Sequence, residues 1–264
     1  MDLGLKDKVV MVAASSKGLG LGIARQAAME GAVVCMGSRH QKNLAAAAET
    51  IQKEVGGARI LTHSLDVGDS ASISLWVKDT LSELGSVDAL VVNGGGPPPG
   101  TFDEIDDKTW FAGYENTLMS AVRLIRAVLP AMRSKQSGSI LTVTSSSVKE
   151  PIDNLLLSNV YRSGVTSLVK SLSIMEAKNG IRINNLVPGF FDTDRLRELD
   201  QRNSGEWRLS LENVRKINFE KIPMGRYGDP DEFGKAALFL LSEAASYVTG
   251  ETFVIDGGKM RTVW

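Results

Sequence analysis

Short apolar runs alternate with longer helical stretches along most of this sequence, and that alternation restricts the fold more than any other feature. The run KVVMVA (8–13) is typical of a buried strand, GLGIARQAAMEG (20–31) of a helix ending at a glycine, and AVVCMG (32–37) of the next strand. Because the strands are apolar throughout, both faces of their sheet must be covered. We therefore predict an α/β fold with a doubly wound parallel sheet, in a single domain spanning 1–264.

The same alternation continues to the end of the chain. Five further strands are predicted at 58–67, 87–96, 138–147, 181–189 and 251–258. Five further helices are predicted at 41–56, 70–85, 107–134, 155–179 and 230–245. A charged segment at 192–222 has no clear periodicity and is expected to be irregular.

Composition excludes several classes of protein. The 30 basic and 31 acidic residues give a net charge of −1, so no basic field attracts nucleic acid or an anionic membrane. The single cysteine, Cys35, cannot form an internal disulfide. No His/Cys/Asp/Glu cluster has metal-ligand spacing, and no metal site is predicted. With no secretory signal and no apolar run of about 20 residues, we expect a soluble, cytoplasmic protein.

The turn after the first strand carries the first functional signal. Gly18 and Gly20 lie between this strand and the first helix, where backbone N–H groups can approach a pyrophosphate. A plain tight turn would also use glycines, but the position in a βαβ unit favours dinucleotide binding and a Rossmann-type sheet. The candidate ligands in this turn are Ser15, Ser16, Lys17, Gly18, Leu19 and Gly20.

This turn resembles that of the classical short-chain dehydrogenases/reductases, whose pattern is T-G-x-x-x-G-x-G. Ala13 and Ala14 replace the threonine and the first glycine. The resemblance extends over nearly the whole chain, and its most specific part is IPMGRYGDPDEFGKAALFLLSEAASYVTGETFVIDGG (222–258). The loop GGPPPG (95–100) resembles that of a divergent 3-oxoacyl-acyl-carrier-protein-reductase-like subgroup.

The resemblance implies a nicotinamide dinucleotide, and the residues indicate which one. The second strand ends in Gly37–Ser38–Arg39, with no carboxylate to accept a bond from a ribose 2′-hydroxyl. Lys17 and Arg39 are instead placed to meet a 2′-phosphate, although both would also be ordinary as solvated surface bases. We predict NADP(H) as the cofactor. The other implied contacts are Ser38, Asp66, Val67, Asn93, Gly94, Gly95, Arg162, Pro188, Gly189, Phe191 and Thr193.

At the catalytic end the sequence departs from the family, which uses a serine, a tyrosine and a lysine four residues after the tyrosine. Counting back without gaps from PGF puts the tyrosine position on Ser158 and the lysine position on Arg162. Tyr161 is displaced by three residues, and the position of the family's helical asparagine holds Thr117. A serine remains at Ser145, 13 residues before Ser158.

Three interpretations stay open. The first, which gives our candidate acid, is that Tyr161 replaces the missing tyrosine while Arg162 binds the ribose hydroxyls. Ser158, or a water that it holds, could supply the proton while Arg162 stabilises the alkoxide. Alternatively, the protein could perform no hydride chemistry and act as a nucleotide-binding sensor or partner subunit. The first two predict reduction of a carbonyl or oxidation of an alcohol, with Ser145 and Ser146 orienting the substrate.

The segment 192–222 lies where the family places its substrate lid. Its arginines would suit an anionic or carrier-bound substrate, although a solvated helical face explains them equally well. The resemblance also implies a homotetramer paired through the helices at 107–134 and 155–179. The expected partner is a small carbonyl or alcohol, free or carrier-bound, without nucleic acid or membrane.

Overall fold

Seven parallel strands form one sheet in the computed structural model, which describes residues 2–263. Their order is β3-β2-β1-β4-β5-β6-β7, so the chain reverses direction across the sheet between β1 and β4. The predicted doubly wound parallel sheet is confirmed. The strands are β1 Val9–Ala13, β2 Val33–Ser38, β3 Arg59–Ser64, β4 Ala89–Val92, β5 Gly138–Val143, β6 Ile181–Pro188 and β7 Thr252–Ile255.

Helices cover both faces of this sheet. Short 3₁₀ turns also occur, among them Ser146–Val148 after β5. The α-helices are α1 Gly18–Met29, α2 Gln41–Glu54, α3 Ser70–Leu84, α4 Asp107–Gly113, α5 Ser120–Lys135, α6 Leu156–Glu176, α7 Asp194–Trp207, α8 Leu211–Glu220 and α9 Pro230–Leu241.

Successive side chains of β1 enter two different cores. Val10 and Val12 pack in the core that includes α1, α2 and α9, whereas Met11 and Ala13 pack in the core that includes α3 and α5. Alternate residues of a strand point to opposite faces, so a strand covered on both sides is apolar at every position. This is why the sequence shows continuous apolar runs without a period of two.

Two elements differ from the sequence prediction. The single helix expected at 107–134 is divided into α4 and α5 by a π-helical turn, Tyr114–Met119. The segment 192–222, expected to be irregular, forms the helical hairpin α7–α8. Hydroxyl caps begin both helices, because Thr193 Oγ1 accepts from Leu196 N at 3.4 Å and Ser210 Oγ accepts from Asn213 N at 3.2 Å.

The parallel register brings the carboxyl ends of the central strands to one edge. Ala13 is paired with Gly37, Val92 with Thr142, and Val143 with Leu186. The loops that follow β1, β2, β4, β5 and β6 therefore meet around the reversal point between β1 and β4, where open α/β sheets bind ligands. Within residues 2–263, no helix is long and apolar enough to cross a bilayer.

Candidate active site

The turn between β1 and α1 is shaped for close approach. Gly18 has φ +60°, a conformation that side chains other than glycine rarely adopt. A Cβ on Gly20 would lie 2.5 Å from Ala14 O and 2.8 Å from Asn93 Nδ2, so only glycine fits there. Ala14 itself has φ +49°, at the position where the family pattern has glycine.

Asn93 holds this turn against the neighbouring strand. Its Nδ2 donates to the carbonyl oxygens of Ala13 and Ala14, both at 3.3 Å. The residue follows β4 directly, so one amide ties the end of β4 to the end of β1. Gly94 and Gly95 come next, and a Cβ on Gly95 would meet nothing within 4 Å. The edge therefore has an open floor beside the glycine turn.

A hydroxyl pair joins the first turn to the end of β2. Ser16 Oγ and Ser38 Oγ are 2.9 Å apart, and Ser15 N donates to Gly37 O at 3.1 Å. Lys17 and Arg39 extend from these same two loops and are exposed. No carboxylate of residues 2–263 lies within 4 Å of either cation. Two positive charges and two hydroxyls thus lie on two loops that the Ser16–Ser38 contact joins, a combination suited to a phosphate monoester.

Asp66 and Val67 lie on the far side of the same edge, after β3. The Asp66 carboxylate accepts from Gly68 N at 3.0 Å, and its own backbone N–H donates to Ser72 Oγ at 2.9 Å. A Cβ on Gly94 would lie 3.8 Å from Val67 Cγ2, so the two loops border one groove. This end of the groove could hold an adenine ring.

The segment after β6 closes over the first turn. A Cβ on Gly18 would lie 3.5 Å from Thr193 Cγ2. Phe191 is buried edge-to-face on Phe233, with ring centroids 5.1 Å apart, and so fixes the segment from Pro188 to Thr193. The structure thus brings the predicted contacts after β1, β2, β3, β4 and β6 to one edge, and the glycine cradle accommodates a pyrophosphate.

Arg162 is the cation of the inner cleft. Its Nη1 donates to Val143 O at 2.9 Å, and no carboxylate of the described chain forms a salt bridge with it. Burial without such a partner lowers the pKa of Arg162 to about 10, which leaves the guanidinium charged at neutral pH. The side chain borders a cavity of about 20 Å³ together with Asn93, Gly94 and Thr117.

Thr117 presents a buried hydroxyl to the same cavity. Its Oγ1 has no hydrogen-bond partner among residues 2–263. The residue belongs to the π-helical turn, and its neighbour Asn116 is exposed and donates to Ala112 O at 2.8 Å. Buried hydroxyls normally have a partner, so this cavity is suited to one ordered water between Thr117 and Arg162.

The three serines after β5 have different surroundings. Ser145 Oγ accepts from Ser147 N at 3.2 Å and thereby caps a 3₁₀ turn, while Ser146 is half-buried beside it. Ser147 Oγ lies 3.2 Å from Ser158 Oγ, and both residues are buried. The side chain that contacts Ser158 is thus Ser147, which the family spacing of 13 residues did not single out.

Tyr161 turns towards α4. Its hydroxyl donates to Trp110 O at 2.9 Å, and its ring packs at centroid distances of 5.7 Å from Trp110 and 6.1 Å from Tyr114. Burial, and then the nearby Tyr114, raise the pKa of the Tyr161 hydroxyl. The structure therefore does not bring Tyr161 into the contacts that join Arg162 to β5 and Ser158 to the 3₁₀ turn after β5.

Comparison with known proteins agrees with this edge geometry. The profile of a family described as Enoyl-(Acyl carrier protein) reductase matches residues 13–259. The chain belongs to the short-chain dehydrogenases/reductases. The 3-oxoacyl-[acyl-carrier-protein] reductase of Chlamydia trachomatis is 29% identical to this short-chain oxidoreductase over 254 residues, or 96% of this chain and 98% of that protein. The predicted family, with its 3-oxoacyl-acyl-carrier-protein-reductase-like character, is confirmed.

Two solved structures of the family are informative. L-Sorbose reductase from Gluconobacter frateurii, complexed with NADPH and L-sorbose, superimposes with a TM-score of 0.95 at 29% identity, over 100% of both chains. A short-chain oxidoreductase from Pseudomonas aeruginosa, described as NADPH-bound with an atypical catalytic centre, has a TM-score of 0.89 at 28% identity, covering 98% of this chain and 99% of that one.

In the protein described here, a polar network that the sequence did not indicate positions α6. Thr142 and Thr144 both donate to Asn185 Oδ1 at 2.9 Å, and Asn185 Nδ2 donates to Thr166 Oγ1 at 3.3 Å. Thr166 Oγ1 donates in turn to Arg162 O at 3.0 Å. The network thereby fixes the backbone of α6 at Arg162 relative to β5 and β6. Its only sequence signal is a buried asparagine within an apolar strand.

The hairpin α7–α8 is fastened by ion pairs. Arg197 Nε and Arg215 Nη2 both contact Asp192 Oδ1, at 2.9 and 3.3 Å. Arg215 Nε also lies 3.5 Å from Asp200, a buried carboxylate that accepts from Tyr227 Oη at 3.0 Å. Arginines that could equally have been a solvated face therefore serve in part to hold the hairpin in place.

Proposed function

We propose that the protein is an NADP(H)-dependent oxidoreductase that reduces a carbonyl to an alcohol, or runs the reverse reaction, through a non-standard catalytic set. The observation that carries the proposal is Arg162, a cation without a carboxylate partner among the described residues, beside the open glycine floor. A half-buried cation there can stabilise negative charge that develops on a substrate oxygen.

The nucleotide contacts follow from the loops at the carboxyl edge. The glycine turn would hold the pyrophosphate, and Asp66 with Val67 would border the adenine. Lys17 and Arg39 would pair with a 2′-phosphate, aided by Ser38. Related structures that contain NADPH support this choice. When bound, NADPH supplies the hydride that adds to the carbonyl carbon, and NADP⁺ is released.

The protein's own groups manage the oxygen and its proton. Ser145 and Ser146 would orient the carbonyl by hydrogen bonding. Arg162 would stabilise the alkoxide formed as hydride adds and would also bind ribose hydroxyls. Ser158, paired with Ser147 at 3.2 Å, would pass a proton to the alkoxide and recover it from water. One hydride and one proton thus convert the carbonyl to an alcohol.

Tyr161 as the acid is the second catalytic candidate. A phenol is a stronger acid than a serine hydroxyl, which favours it chemically. However, its proton is donated to Trp110 O at 2.9 Å, so the ring would have to leave α4 before it could act. We assign Tyr161 to the packing of α4 on α6 and Ser158 to proton transfer.

A second function, nucleotide binding without turnover, is favoured by one observation. The family's tyrosine and asparagine positions hold Ser158 and Thr117. In that case the protein would act as a sensor or partner subunit that responds to NADPH.

Assembly and location complete the proposal. Phe102, Phe111 and Val160 expose 74%, 69% and 45% of their surface on and beside α4 and α6. Apolar exposure of this extent is typical of an interface, and we propose a homotetramer in the cytoplasm. Light scattering after size exclusion measures the mass, and a monomer would contradict the assembly.

The test combines binding with turnover. Fluorescence titration with NADPH and NADH should give micromolar NADPH binding and weaker NADH binding. The K17A/R39A double variant should weaken NADPH binding by about 100-fold or more and leave NADH binding unchanged, because each charged phosphate contact contributes roughly 1.5 kcal/mol or more. Lys78→Ala on α3 is the control. Turnover of NADPH with a carbonyl panel then separates the enzyme from the sensor, and tight binding without turnover would favour the sensor.

A further inference from the structure

The chain beyond β7 connects two of the loops at the carboxyl edge of the sheet. It leaves the sheet beside β6, where Gly189 N donates to Ile255 O at 2.7 Å. It then reaches the serine loop after β5, where Arg261 N donates to Glu150 Oε1 at 3.3 Å. Glu150 N in turn donates to Ser146 O at 3.1 Å. The residues 256–261, here called the tail, therefore join the two loops that border the substrate position of the proposed oxidoreductase.

Lys259 is held within this tail. Its Nζ lies 5.1 Å from the ring centroid of Phe190, a residue of the segment that closes over the nucleotide turn. A cation over an aromatic face is fixed in direction but keeps its hydrogen-bonding capacity. Lys259 is half-buried, and no carboxylate of residues 2–263 lies within 4 Å of its ammonium group.

Two acidic side chains, one in the tail and one in the serine loop, accept hydrogen bonds from backbone N–H groups of the tail. Asp256 accepts from Gly258 N at 2.8 Å and from Met260 N at 2.6 Å, so both of its oxygens shape the tail itself. Glu150 accepts from Arg261 N. Lys149, half-buried, and Arg261, exposed, are further basic residues of the serine loop and of the tail.

From these contacts, and resting on the proposed carbonyl chemistry, we infer that Lys259 binds an anionic group of the substrate. The substrate class is a carbonyl compound bearing a carboxylate or a phosphate, with the anion on Lys259 at the cleft mouth and the carbonyl between Ser145 and Arg162. Lys259 acts as a specificity-determining residue. Its position on Phe190 also places the bound anion against the segment that covers the nucleotide.

Two matched substrate pairs test the assignment: acetoacetate with methyl acetoacetate, and dihydroxyacetone phosphate with dihydroxyacetone. We expect the wild-type kcat/KM to favour the charged member of at least one pair by about 10-fold or more, the usual size of a charge-assisted contact. In Lys259→Met the preference should fall to about 1 through a rise in KM, with the neutral member unchanged. Lys259→Arg should keep it, and Lys178→Met, at the opposite end of the sheet, should behave as wild type.

The preferred pair tells whether the anion is a carboxylate or a phosphate. A wild type that prefers neutral members, or a Lys259→Met variant that keeps the preference, would overturn the inference. A thermal-shift series reads binding without turnover. Acetoacetate or dihydroxyacetone phosphate should raise the Tm of the NADPH complex for wild type and Lys259→Arg but not for Lys259→Met. A shift without turnover would reject the proposed reductase and retain the anion site, and no shift with any probe would reject the site.

Discussion

Arg162 Nη1 donates to the carbonyl oxygen of Val143, the last residue of β5, at 2.9 Å. This contact orients the guanidinium across the carboxyl edge of the sheet. Replacing Arg162 by methionine should lower kcat for carbonyl reduction by about 10²–10³-fold, because the alkoxide loses its stabilising charge. Steady-state oxidation of NADPH measures the effect.

Arg162→Lys should recover part of this loss, since an ammonium keeps the charge but loses the forked geometry. Arg59→Met serves as the control, because Arg59 is exposed and lies at the amino end of β3, away from the site. Its kcat should match that of wild type. Unchanged turnover in Arg162→Met would remove Arg162 from the catalytic set.

Tyr161 is expected to stabilise the fold without supplying the proton. Tyr161→Phe should keep kcat within about twofold of wild type, whereas Tyr161→Ala should lower the free energy of unfolding by about 2–3 kcal/mol, because the contacts with Trp110 and Tyr114 are lost. Urea unfolding and turnover measure the two effects. A loss of 100-fold or more in Tyr161→Phe would make this phenol the acid after all.

Replacement by glycine should stabilise the fold at Ala14 and destabilise it at the neighbouring Ala13. Its φ of +49° is strained for alanine, so Ala14→Gly should raise the free energy of unfolding by about 0.5–1 kcal/mol. Ala13, buried in β1, is the matched control, and Ala13→Gly should lower the free energy by about 1 kcal/mol. Equal destabilisation by both changes would show that the turn carries no strain at Ala14.

Glu232 gives a pH-dependent contribution to stability. Its side-chain bonds with Arg226, and then the backbone N–H of Asp229, lower the pKa of Glu232 to about 2. A lowered folded-state pKa stabilises the fold above the unfolded value of about 4.3, and this stabilisation is lost as pH falls towards 2.

Since the pair is about half exposed, Glu232→Gln should cost about 0.5–1 kcal/mol at pH 7 and less at pH 3.5. Urea unfolding at the two pH values measures this, with Glu206→Gln, at a residue in a longer exposed ion pair, as the control. If Glu232→Gln lost more free energy of unfolding at pH 3.5 than at pH 7, Glu232 would not stabilise the fold through its ionised form.

Sequence predicts the sheet of this protein well, because continuous apolar strands between helices leave few alternatives. Ser158 and Arg162 both lie on α6, within the helix predicted at 155–179, and one helical turn separates them. The orientation of Tyr161 could not be predicted in this way. It depends on the carbonyl of Trp110, which a π-helical turn positions on another element.

The hairpin α7–α8 was missed for a related reason. Its residues are mainly charged, so no apolar period indicates a helix, and its stability comes from caps and ion pairs. The role of Asn185 was hidden because its partners Thr142, Thr144 and Thr166 are distant in sequence. Polar networks of this kind follow from strand order, which only the folded chain supplies.

The ion pairs that Asp192 forms with two arginines should depend on the salt concentration. Arg197 and Arg215, from two different helices, meet on one carboxylate oxygen, and all three side chains are partly open to water. Dissolved ions shorten the screening length from about 10 Å at 0.1 M to about 3 Å at 1 M, which weakens such pairs. These two pairs are therefore expected to weaken at high salt, while the buried hydrogen bond between Tyr227 and Asp200 is screened much less. High ionic strength should therefore weaken the attachment of α7 and α8 to the segment after β6.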